Sequence, residues 1–121
     1  MATETLILRH LLNDELYARR TLPYLKSEYF ADRIEKTVYE QIDSFIQKFN
    51  SLPTKEALTI EMDGVKNLSD DEFQKCGEYI SQLDIEQPED QDWLIETTEK
   101  FCQEKAVYNA AKIYLISLVL D

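Results

Sequence analysis

Glycine occurs only twice in the 121 residues, at Gly64 and Gly77. A phosphate-binding loop needs several glycines, so that backbone amides can close around the phosphates, and then a Lys with Ser or Thr. Neither glycine is followed by that pair, so the chain has no Walker A loop. The same scarcity excludes a dinucleotide fingerprint, and no ATP binding or hydrolysis is expected of these residues. Three prolines and two glycines are too few for a turn-dense β-sandwich or barrel. His10 is the single histidine, set between Arg9 and Leu11. Zinc sites and histidine-based nucleophilic triads need partners around the ring. No local cluster surrounds His10, which reads as a packing or surface residue. Cys76 and Cys102 are far apart in sequence without CxxC spacing, too sparse for a disulfide-stapled secreted domain. They read as buried or half-buried thiols of a reducing compartment.

Positive charge is also in short supply. Thirteen basic residues face 24 acidic ones, for a net charge of −11. Such a field repels phosphate backbones over about a Debye length, roughly 8–10 Å. The Arg9, Arg19 and Arg20 cluster is too small to offset it, so no strong direct nucleic-acid binding is expected. No apolar run approaches the ~20 residues of a membrane span. Met1-Ala2-Thr3-Glu4 lacks the basic region of a signal peptide. The expectation is a cytoplasmic protein with no membrane partner.

What the chain does have is helical periodicity. With 44% hydrophobic and 31% charged residues it has the profile of one globular domain. A chain of this length buries roughly two-thirds of its unfolded surface without a disulfide or metal. Leu6, Ile7, Leu8, Leu11 and Leu12 form a first apolar stripe, ended by Asn13-Asp14. A second helix is expected from Glu15 to Leu22, before Pro23. Ser27 to Phe30 reads as one turn that plugs Tyr29 and Phe30 into the core. Ile34, Val38, Ile42, Phe45, Ile46 and Phe49 recur at steps of three and four, which predicts a helix from Asp32 to Phe49. Asn50-Ser51-Leu52-Pro53 stops it. Thr54 caps a short helix to about Asp63, with Gly64 as its C-terminal stop. Ser69-Asp70-Asp71-Glu72 is a capping box opening a helix with Phe73, Cys76, Tyr79, Ile80 and Leu83.

The last helix is the longest, from about Asp90 or Gln91 onward. Its acidic first turn suits the positive end of the helix dipole. Cys102, Ala106, Asn109, Ile113, Ile116 and Leu120 follow a heptad-like seam. Ile113, Tyr114, Leu115, Ile116, Leu118, Val119 and Leu120, however, put apolar groups on every side. A helix apolar all round must be covered all round. At roughly 25 cal/mol per Å², leaving it wet forgoes many kcal/mol. Either another subunit covers it, or a further helix of its own chain does.

Few residues invite chemistry. Glu96 and Glu99 share a helical face, yet the Glu-x-x-His pattern of di-metal bundles is absent. The acidic runs at 69–72 and 86–90 lack the spacing of a calcium loop and read as helix-entry signals. Tyr24, Tyr29, Phe30, Tyr39, Phe45 and Phe49 read as core. Trp93 and Tyr108 are balanced between core and protein interface, where large amphipathic rings serve as anchors.

Leu22-Pro23-Tyr24-Leu25-Lys26-Ser27-Glu28-Tyr29-Phe30, Ser51-Leu52-Pro53-Thr54-Lys55-Glu56-Ala57-Leu58, Pro88-Glu89-Asp90-Gln91-Asp92-Trp93-Leu94, and Glu99-Lys100-Phe101 with Tyr108-Asn109-Ala110 together resemble the N-terminal domain of replicative helicases from T-even-type phages. More loosely, Glu4, Leu6, Leu8, Leu11 and Leu12, then Phe30 and a helix ending before Pro53, look like the DnaB helicase N-terminal domain. The resemblance implies an all-α fold, with a compact head of about five short helices (1–87) and a long C-terminal helix (88–121). That helix would be the first arm of a DnaB-type helical hairpin, continuing beyond Asp121 toward an ATPase domain absent here.

In that family, hairpins of neighbouring subunits pair and dimers assemble as a trimer. The resulting collar sits on the ATPase ring and takes part in docking primase and loading factors. ATP, magnesium and 5′–3′ helicase activity belong to the intact family member, and no enzyme activity is assigned to this chain. The expected role is a collar and assembly domain in phage DNA replication, in the host cytoplasm. Its partners would be further copies of itself (a dimer or trimer of dimers), a primase and a helicase loader. Trp93, Tyr108, Ile113, Leu115, Ile116, Val119 and Leu120 are the candidate interface residues; catalytic, cofactor and metal residues are none. The competing reading is a stand-alone adaptor that mimics the collar to load or block a helicase. A small enzyme has no motif behind it.

Overall fold

The computed structural model describes residues 2–120. Its elements are α1 (Ala2–Asn13), α2 (Glu15–Thr21), 3-10 turns at Leu22–Tyr24 and Ser27–Tyr29, α3 (Arg33–Phe49), α4 (Lys55–Met62), α5 (Asp70–Ser81) and α6 (Gln91–Leu120). There is no strand among the described residues. The protein is all-α, five short helices forming a head from which α6 extends.

Short polar side chains start most of these helices. Asp14, Asp32 and Thr54 each accept a hydrogen bond from the amide three residues on, at 3.1, 3.0 and 3.0 Å. Both halves of the capping box form at α5: the Glu72 amide donates to Ser69 Oγ and the Ser69 amide to the Glu72 carboxylate, each at 3.1 Å. Asp90 Oδ1 takes the Trp93 amide at 2.9 Å and opens α6. α3 stops at Asn50, whose φ of 55° is left-handed and whose amide returns to the Ile46 carbonyl at 2.8 Å. Gly64 does not play the expected part. No glycine has positive φ; Asn67 does, at 63°. α4 instead ends by tightening, with Asp63, Gly64 and Val65 amides bonding three residues back.

The core joins Ile7, Leu8 and Leu11 of α1 to Tyr17 of α2, Val38 and Ile42 of α3, Leu58 and Met62 of α4, and Cys76 and Ile80 of α5. α3 lies at the centre of the head, against α1, α4, α5 and the turn at Ser27–Tyr29. That turn does seat both aromatics: Phe30 is wholly buried, stacked on Tyr39 at 4.9 Å and tilted against Phe101 at 5.8 Å. Phe49 departs from expectation. It lies in the last turn of α3, half exposed and packed on Phe45 at 4.6 Å.

His10 is a packing residue, buried edge-on to Tyr17 with its Nδ1 donating to the Leu6 carbonyl at 3.0 Å. Cys76 and Cys102 are both buried free thiols. Burial raises the Cys76 thiol and pushes Cys102 up to about 11, so neither is a reactive thiolate at neutral pH.

Candidate interface on the C-terminal helix

Only the first half of α6 is built into the head. Leu94, Thr98, Phe101 and Cys102 are its buried residues. At the centre of this junction the Thr98 hydroxyl donates to the Leu94 carbonyl at 2.8 Å and contacts the Tyr17 hydroxyl at 2.6 Å. The Thr98 hydrogen being committed, the Tyr17 O–H donates. Higher along the helix, Lys105 Nζ lies 3.9 Å from the carboxylate of the buried Glu4. The last tether is Asn109, whose Nδ2 donates to the Glu28 carbonyl at 3.1 Å.

Beyond Asn109 every described residue is exposed. With 30 residues, α6 is about 45 Å long, of which 106–120 makes about 22 Å. This projecting arm carries Val107, Tyr108, Ile113, Tyr114, Leu115, Ile116, Leu118, Val119 and Leu120, all more than half exposed; Val119 reaches 84% and Leu120 81%. At 100° per residue these side chains point in every direction around the axis. Arm charge is sparse, Lys112 lying 5.5 Å over the Tyr108 ring.

Six of the seven candidate residues, Tyr108, Ile113, Leu115, Ile116, Val119 and Leu120, therefore share the arm. Trp93 does not. It sits half exposed in the first turn of α6, about 30 Å of helix from Ile113. Val107, Tyr114 and Leu118 are equally bare and were not among the candidates. Tyr114 and Leu118 belong to the all-round apolar set read from the sequence without being among its candidates, and Val107 belongs to neither; a count of all large apolar residues after Ala106 includes all three. Asn109 was read as part of the seam, and nothing local marks it as the tether to Glu28.

Where the arm leaves the head lies an open cavity of about 360 Å³, lined by Tyr24, Tyr29, Glu99, Cys102, Gln103 and Ala106. The Tyr24 hydroxyl is buried there without a hydrogen-bond partner, and burial, reinforced by the Glu99 carboxylate, raises its pKa. Among the described residues no three His, Cys, Asp or Glu side chains are placed to hold a metal ion. No described helix is long and apolar enough to cross a membrane. The arrangement offers apolar surface for association.

Comparison with known proteins gives this shape a context. Over 105 residues, 87% of its length, the chain is 33% identical to a DnaB-like replicative helicase of Enterobacteria phage T4. The chain is similar to a piece of a DnaB-like helicase. It spans 22% of that relative's length. No family model matches it. The resemblance to DnaB-like helicases read from the Leu22–Phe30, Ser51–Leu58 and Pro88–Leu94 segments thus extends over most of the chain.

Proposed function

We infer that this chain acts as the N-terminal collar domain of a hexameric replicative DNA helicase, joining subunits and docking primase and a helicase loader during phage DNA replication in the host cytoplasm. The observation that carries the reading is the arm: about four turns of helix, apolar on all sides, projecting from a finished head. A monomer rarely exposes so continuous an apolar surface unless it is an interaction site. Covering it is the work of a second copy and, in the longer protein, of a return helix beyond Asp121. ATP and magnesium are assigned to the ATPase domain of that longer protein; the chain's own residues contribute assembly. The similarity to the phage T4 helicase supports this placement, because it covers most of this chain and a minor part of the relative.

Immobilised cognate primase tests the docking role. The wild-type chain should be retained, and self-associated by light scattering. A chain that stays monomeric at high concentration and passes over primase unretained would overturn the reading.

A further inference from the structure

α1 and the connection between α5 and α6 border a small polar pocket of about 240 Å³, lined by Arg9 and His10 from the helix and by Asp84, Glu86 and Glu89 from the connection. That is below the roughly 300–1,000 Å³ of small-molecule sites and suits a single side chain. The start of the connection is tied down. Asn13 Nδ2 donates to the Leu83 carbonyl at 2.7 Å, and Lys55 Nζ donates to the Ser81 carbonyl at 3.0 Å while pairing with the Asp84 carboxylate.

Two polar atoms are buried at this pocket without a partner. His10 is 3% exposed, and among the described residues its Nε2 has no hydrogen-bond partner; the same holds for Arg9 Nε. Unpaired buried polar groups are costly, so a ligand that pairs them is favoured. The Leu6 carbonyl only accepts, so His10 Nδ1 carries the ring proton and Nε2 of the neutral ring is an acceptor. Arg9 Nε is a donor. Asp84 is engaged by Lys55, whereas Glu86 and Glu89 are exposed and make no ion pair among the described residues. Against the one charge of Arg9, these two glutamates leave the pocket negative, within a chain of net charge −11.

We propose that the pocket takes a lysine side chain presented by a basic segment of a protein partner. The lysine ammonium donates to His10 Nε2 and to the carboxylates of Glu86 and Glu89, and a backbone carbonyl of the same segment accepts from Arg9 Nε. An ammonium has three donors and no acceptor, which matches one imidazole nitrogen and two carboxylates. Arg9 Nε needs an acceptor as well. A polypeptide carries carbonyls, whereas a protonated polyamine has no acceptor to offer. Phosphate backbones are repelled by the same carboxylates. The pocket lies just before α6 begins, about 22 Å of helix from the arm's start at Ala106. It adds a docking surface on the head to the association surface of the arm and does not depend on the arm.

His10 is the only histidine, so the resonances of isotope-labelled histidine report on this pocket alone. The probe is the tripeptide acetyl-Ala-Lys-Ala-amide. One anchored side chain supports a Kd on the order of 1 mM, and the peptide should move the Nε2 resonance saturably in that range. The same peptide with norleucine in place of lysine should leave it unmoved. Glu86→Gln with Glu89→Gln, both at exposed positions, should keep the wild-type circular dichroism and melting temperature while weakening the lysine peptide about tenfold. An Nε2 resonance indifferent to the lysine peptide, an equal response to norleucine, or full affinity in the glutamine variant overturns the proposal. Spermidine binding as tightly as the peptide would assign the pocket to a free polyamine and overturn the polypeptide partner. Ile113→Asp with Ile116→Asp should bind the peptide as the wild type does, whatever becomes of its self-association; loss of binding there would overturn the pocket's independence of the arm.

Discussion

Tyr17 joins α2 to the buried half of α6 through one hydroxyl. It is fully buried, and its hydrogen bond to Thr98 spans 81 positions of sequence. Tyr17→Phe keeps the ring and leaves Thr98 bonded to the Leu94 carbonyl, so it should cost about 1 kcal/mol in urea unfolding. A loss near zero would mean that the junction does not depend on this bond. Burial also raises the pKa of Tyr17, Tyr39 and Tyr79 above the ordinary 10.0. A folded-state pKa above the unfolded one means that the native protein binds more protons in alkali, so stability falls as pH rises. The contribution is intact below about pH 10 and declines above it. The phenolate absorbance of these three rings, read as the difference between the wild type and the matching Tyr→Phe variants, should therefore appear together with loss of helix; their ionisation in a fully helical protein would contradict the burial. None of these contacts was legible in the sequence. Tyr17 meets Thr98, and Asn109 meets Glu28, only after the chain has folded back on itself.

At the scale of elements the sequence was far more readable, because helix starts are local events. Asp32, Thr54 and Ser69 each cap an amide three residues away, and that spacing is visible in one dimension. Helix ends were harder. Gly64 is the residue type that favours a left-handed stop, yet α4 closes by three tightened turns and Asn67 takes the positive φ. Phe49 shows the same limit, since periodicity gives the side of α3 on which it lies but not its depth, and it is half exposed. The arm of α6 is the element with least support. Isolated helices of about 12–15 residues are marginal in water, and every described residue beyond Asn109 is exposed. Amides of residues 112–120 should exchange with solvent much faster than those of 98–105 in dilute protein, and should gain protection as concentration rises. Equal, concentration-independent protection would mean that the arm needs no partner.

The whole molecule divides its chemistry between two parts. The head holds nearly all the acid, while the arm is nearly uncharged and apolar. The sequence disclosed this division, because an apolar count around a helix needs no tertiary information. It could not disclose that Trp93 would fall outside the arm, or that a cavity would open at the arm's base between segments far apart in the chain. The account rests on the arm as the surface of association, and sedimentation equilibrium tests it most directly. The wild-type chain should show a mass that rises with concentration to at least a dimer. Ile113→Asp with Ile116→Asp, both at exposed positions away from the head, should give a folded monomer throughout. A wild-type chain that remains monomeric, or a double variant that associates as the wild type does, would contradict it.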